Sequence, residues 1–170
     1  TNKAYLVSLN SNGGGTGGGD QPSTPTGDAL NISGTTVTLT NTAAEAGTES
    51  VSIDCSTLGY ENAQDAGTVK FSDGTTLTFD GNGETNTPKY YEKTGGFRVY
   101  KNNKMIFAGV KKIARIIMTC DAYNGIDYVG NATATVEVSG NNLVYTNLYT
   151  EAQGGGVQLR VQTIKIIYAK

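Results

Sequence analysis

The chain has 170 residues, of which 37% are hydrophobic and 16% charged, with a formal net charge of −2 and a pI of about 5.1. It contains no histidine, which excludes Ser-His-Asp and Cys-His catalysis and every histidine-containing metal site. There is no basic footprint for nucleic acid and no Lys/Arg-rich amphipathic segment for a membrane surface, and the longest apolar run, around Ile113 to Met118, is too short to span a bilayer. The expected protein is therefore not membrane-inserted and has no nucleic-acid partner; a carboxylate-pair hydrolase or a calcium site remains open.

Twenty-three glycines and Thr-rich segments point to strands and turns. No leader peptide opens the sequence, so a mature or trimmed chain, or a cytoplasmic one, is expected. Residues 1–10 contain the strand-like run Ala4–Leu9, read as the tail strand of a preceding domain or an added edge strand. Residues 11–27 are low in complexity and rich in Gly, Ser, Thr and Pro, the composition of a flexible linker. The folded unit is expected to occupy residues 28–170.

Within that unit, Thr36–Thr40 and Ser50–Cys55 alternate apolar and polar residues, as half-buried strands do. Thr68–Phe71 and Thr75–Phe79 flank Asp73-Gly74, a strong hairpin signal. A polar loop then delivers the chain to Pro88, Tyr90 and Tyr91. Phe97–Tyr100, the Asn-rich turn Lys101–Lys104 and Met105–Phe107 read as a hairpin. Lys112–Cys120 is apolar on both faces, which suits a central strand, although a short buried helix shows a similar pattern. Asp121–Asn131 reads as a loop or a loop with one helical turn. Thr133–Val138 and Leu143–Tyr145 form another hairpin, and Val157–Val161 and Thr163–Tyr168 close the chain as two strands. About ten short strands with frequent turns predict an all-β antiparallel sandwich.

Cys55 and Cys120 each lie near the end of a strand-like run. A disulfide between them would close a loop of about 65 residues and contribute roughly 4 kcal/mol; the alternative is two small buried hydrophobes on neighbouring strands.

The candidate ligand-binding residues are Tyr90, Tyr91, Arg98, Tyr100 and Asn102. Strand alternation turns Tyr90 and Tyr91 to opposite faces, one to the core and one to solvent or a ligand. It likewise separates Phe97 and Val99 from Arg98 and Tyr100, which would share an outer face beside Asn102. A guanidinium next to an aromatic and an amide suits a sugar or carboxylate. The competing reading packs or caps with each tyrosine and stacks Arg98 on a cross-strand tyrosine. Asp80, Asn82 and Glu84, with Asp73 nearby, have oxygens that would suit Ca²⁺ without matching an EF-hand; Asp121 and Asp127 are a second such pair. Among carboxylates, Asp54, Asp80, Asp121 and Glu137 have no spacing that defines an acid/base pair.

Five pieces in order carry a resemblance: Ile53–Tyr60 with Asn62, Thr87–Tyr91, Phe97–Asn103, Ile113–Ile116 with Met118-Thr119, and Gln158–Tyr168. Together they resemble a C-terminal β-sandwich module of Bacteroides-type surface lipoproteins and secreted multidomain proteins. The resemblance covers roughly residues 50–170 and implies a jelly-roll or galactose-binding-like sandwich. It also implies export, with a cell-surface or secreted location and a lipid anchor outside this chain. Glycan or another surface polymer is the implied partner, alongside neighbouring domains of the same chain, and a monomer is expected. The segment between Gly140 and Gly154 departs from the pattern, since the chain has no tryptophan.

Overall fold

The computed structural model describes residues 27–150 and 155–170. The run at 1–10 and all but the last residue of the linker lie outside the described residues. The strands are β1 (Leu30–Ser33), β2 (Thr36–Thr40), β3 (Ala46–Asp54), β4 (Thr68–Lys70), β5 (Thr76–Asp80), β6 (Lys89–Tyr91) and β7 (Gly96–Val99). They continue as β8 (Lys104–Ala108), β9 (Ile113–Cys120), β10 (Ala122–Tyr123), β11 (Ile126–Asp127), β12 (Thr135–Ser139), β13 (Asn142–Thr146) and β14 (Leu159–Ala169). All the pairings between these strands are antiparallel.

Seven strands make a large sheet in the order β1–β2–β9–β14–β7–β6, with β3 also on β14, and five make a smaller one in the order β12–β13–β8–β5–β4. Alternation along each strand turns one apolar face inward, and the two inner faces share one core. Phe79 of the small sheet lies 4.6 Å from Phe97 of the large sheet, ring centre to ring centre, and Phe97 also meets Tyr60 and Tyr90. The protein is thus all-β with a sandwich-like architecture, and Lys112–Cys120 contains an inner strand, β9, rather than a helix.

β14 organises the large sheet. One of its edges holds β9; the other holds β7 at residues 159–161 and β3 at residues 163–169. The expected pair of closing strands is instead this one strand. Leu159 and Val161 are buried, and so are Ile164, Ile166 and Tyr168, so the alternation slips by one at Gln162-Thr163. The pairing with β9 shifts register at the same place. A bulge changes the phase of the side chains without ending the strand, which is why the sequence pattern reads as two.

Two further expectations are corrected. Phe97–Phe107 is no hairpin: β7 belongs to the large sheet and β8 to the small one, so Lys101–Lys104 is a corner between sheets. Asn102 takes a left-handed conformation there (φ 63°), and buried Asn103 accepts from the Tyr100 N–H and donates to the carbonyls of Gly81 and Asn86. These bonds tie the corner to the loop after β5 instead of closing a ladder. Residues 121–131 contain the two-stranded ribbon β10–β11, turned by Asn124 and Gly125 in positive φ. Leu30–Ser33, too short to show a pattern, is an edge strand on β2.

At the far end of β14, the Tyr168 hydroxyl pins the sheets together. It lies 2.5 Å from the buried Thr75 Oγ1 and donates to Asp73, at the turn between β4 and β5. Burial pulls the Asp73 carboxyl up, but bonds from Tyr168 and Thr75 outweigh it and leave the group below its ordinary value. Burial, with Asp73 adding to it, pushes the Tyr168 hydroxyl up to about 12. Tyr168→Phe is expected to lower stability by about 1–3 kcal/mol in urea unfolding, as for a lost bond to a charged group. A folded-state carboxyl pKa below its ordinary value adds stability above about pH 4, lost as pH falls through the folded value; a raised tyrosine pKa adds stability below about pH 10, lost as pH rises toward 12. Both flanks of the stability–pH curve should flatten in the variant, and unchanged flanks would show that the pin is not made.

Candidate functional site

The outer face of the large sheet brings three of the expected ligand-binding residues together. In β6, Lys89 and Tyr91 face outward while Tyr90 is buried against Tyr60 and Phe97. In β7, Phe97 and Val99 are buried and Arg98 faces outward, with Tyr100 just past the strand end and half-buried. The Arg98 guanidinium carbon sits 4.1 Å from the centre of the Tyr91 ring. Its Nε donates to Thr94 Oγ1 at 2.9 Å, and the Tyr100 hydroxyl feels both Tyr91 and Arg98 electrostatically. Burial pushes the Tyr100 hydroxyl up, Tyr91 adds to that, and Arg98 opposes it. The cation–π contact and the fixed Nε bond hold the guanidinium plane in one orientation.

Gly96 stands opposite Tyr91 and makes this corner of the sheet possible. A side chain there would run into the backbone of Val161 on β14. The neighbouring Gln162 of β14 donates to the Thr94 carbonyl at 2.8 Å, so the same turn that receives Arg98 is tied to the central strand.

The remaining candidates go elsewhere. Tyr90 is a core residue, its hydroxyl pushed up by burial. Asn102 is consumed by the corner: its N–H donates to the Asn147 carbonyl, its amide oxygen accepts from the Tyr149 N–H, and its Nδ2 donates to Glu84. Asp80 accepts from the Asn82 N–H, and Asn82 donates to the Asn102 carbonyl. Asn82 Nδ2 and the Glu84 carboxylate thus hold the loop against the corner while Asp80 shapes the loop itself, and among the described residues no three Asp, Glu or Cys side chains gather as a metal site would require. Asp54 caps the turn at Cys55–Thr57, with its carboxyl lowered by bonds from Ser56, and Asp121 lies 4.0 Å from Arg160. Glu137, on β12 of the small sheet, is exposed.

Sequence reasoning missed the two positions that hold this end of the molecule. Asn147 and Asn131 are buried, the first with no exposure at all. Asn147 Nδ2 donates to the carbonyls of Val99, Tyr100 and Val157, and its Oδ1 accepts from the Asn131 N–H. Single asparagines in polar loops carry no periodic signal, so nothing in the pattern marked them. Asn131, in a glycosylation sequon, also binds the Val157 N–H and is closed to modification.

Cys55 and Cys120 are free, buried thiols, both pushed up to about 12 chiefly by burial. Both lie in the core, Cys120 at the end of β9 and Cys55 in the turn after β3, two strands that are not neighbours because they flank opposite edges of β14. Ellman titration is expected to find no reactive thiol in the native protein and two after denaturation without reductant. No thiol under denaturing conditions would establish a disulfide.

Comparison of the chain with protein-family models, with curated proteins and with solved structures finds no match. Among the described residues, no helix is long and apolar enough to cross a membrane.

Proposed function

We propose that the protein is a non-catalytic binding module that recognises a glycan or another surface polymer on the outer face of its large sheet. The observation that carries this reading is the convergence of Tyr91, Arg98 and Tyr100, two half-buried phenol rings around one oriented guanidinium. Ring faces stack on sugars and a guanidinium donates to hydroxyl or carboxylate oxygens, so the group offers both kinds of contact at one place. The carboxylates that acid/base chemistry would need are dispersed: Asp54 ends β3, Asp80 ends β5, Asp121 follows β9 and Glu137 lies in β12. The finer fold class, a jelly-roll or galactose-binding-like sandwich, rests on the family resemblance and on the chain's repeated crossing between sheets. Export to the cell surface or a secreted state, and membership of a multidomain surface protein, rest on the resemblance alone.

A structural spacer is the second reading. It is favoured by the bond Arg98 already makes to Thr94 and by its stacking on Tyr91, which satisfy part of the cluster internally. A glycan array and polysaccharide-retardation gels of the full chain separate the two. Binding is expected to fall by about tenfold or more in the Tyr91→Ala, Arg98→Ala double variant with its fold retained. No binding by the unaltered protein across a broad panel would leave the spacer.

A further inference from the structure

The strand registers align three cations on the outer face. Lys89 of β6 stands directly opposite Arg98 of β7, and Arg98 stands directly opposite Arg160 of β14. Directly opposed residues of an antiparallel sheet share a face with Cβ atoms about 4.5–5.5 Å apart, and like charges so placed are unfavourable. A protein with net charge −2 thus carries a cationic row across three adjacent strands. With strands about 4.8 Å apart the row is about 10 Å long, the scale of a disaccharide.

The row is not uniformly neutralised. Lys89 pairs with Asp65 at 2.5 Å, and Arg160, whose side chain is 12% exposed, has Asp121 at 4.0 Å. Arg98, in the middle, has no ion pair with a carboxylate among the described residues. Each arginine also lies on a tyrosine ring, Arg98 on Tyr91 and Arg160 on Tyr128 at 3.6 Å. The stacked face of each guanidinium is covered, and its edge is the part left to bond. Tyr128 directly follows β11, so the exposed β10–β11 ribbon, with Tyr123 and Ile126 paired at its tip, rises from the Arg160 end of the row.

Building on the polymer-binding reading, we propose that the ligand is an acidic glycan, and that Arg98 anchors one of its carboxylate or sulfate groups. Lys89 and Arg160 supply flanking positive potential, while Tyr91 and Tyr100 contact the sugar rings on either side. The unfavourable opposition of three cations is relieved when an anion sits on the central one. Nucleic acid is the less favoured polyanion, since the row is short and the remainder of the chain is acidic overall.

Native affinity electrophoresis of the full chain tests this with four gels containing polygalacturonate, its fully methyl-esterified form, dextran sulfate and dextran. The charged polymer of at least one pair should retard the protein at least about tenfold more strongly than its neutral counterpart. Whichever charged polymer does so identifies carboxylate or sulfate as the group recognised. Retardation should be lost in Arg98→Gln, weakened in Lys89→Gln and intermediate in Arg98→Lys, which keeps the charge but loses the planar fork. It should also fade at about 1 M salt, where the screening length is about 3 Å. Thermal unfolding of each variant checks the fold, and Lys89→Gln, on a half-buried side chain at the sheet edge, serves if Arg98→Gln does not fold. Equal retardation by charged and neutral forms, or binding only to neutral glycans, would overturn the acidic-ligand inference and leave the polymer-binding reading standing. Equal retardation by a single-stranded DNA oligonucleotide would overturn selectivity for glycan. No retardation by these polymers, together with a blank neutral panel, would overturn both.

Discussion

The amide of Asn147 is the constraint on which one end of the molecule depends. A chain that passes from one sheet to the other must abandon its ladder, and the backbone groups it releases sit too deep for water. Asn147 answers this at three crossings simultaneously. Its side chain bonds to carbonyls at the end of β7, to the approach to β14 and to the loop before β12, while its main chain pairs with Asn102 and Asn103. Remove the amide and several buried groups from distant parts of the chain lose partners together, a cost larger than that of losing one hydrogen bond. The position of Tyr100, and with it one wall of the aromatic–guanidinium cluster, follows from the same bonds.

The two ends of the sandwich solve one problem with different chemistry. At the β7–β8 corner the connections are mostly asparagine amides, with Glu84 the one carboxylate among them. At the opposite end the link is a phenol between a hydroxyl and a carboxylate. The first end carries the proposed binding face close by and is held chiefly by neutral amides; the second is held by a phenol–carboxylate pair that responds to acid and base.

How much was legible in the sequence depends on whether a residue's role is periodic. Val37 and Leu39, Phe97 and Val99, and Leu77 and Phe79 all alternate, and each pair is buried. The same alternation separated Tyr90 from Tyr91 and put Arg98 outside. It failed where partners are set by tertiary structure: Met105–Phe107 has the pattern of a return strand but lies in the other sheet, because pattern records which face is apolar and not which strand is adjacent. The bulge at Gln162-Thr163 interrupts the alternation, so the pattern there resembles the end of one strand and the start of another. The alignment of Lys89, Arg98 and Arg160 was invisible for the same reason, since register across three strands is a property of the assembled sheet.

The register of β14 bears on how the protein is made. Of the fourteen described strands it is the last to be synthesised, yet it lies between β9 on one side and β7 and β3 on the other. Until it emerges from the ribosome, the large sheet exists only as separate pieces, the β1–β2–β9 group, the β6–β7 pair and β3, each with an open hydrogen-bonding edge and an apolar face toward solvent. Such pairings close loops of great length and form slowly, and open edges of this kind invite association between nascent chains. The yield of folded protein should therefore be governed by the short interval between the synthesis of β9 and the docking of β14.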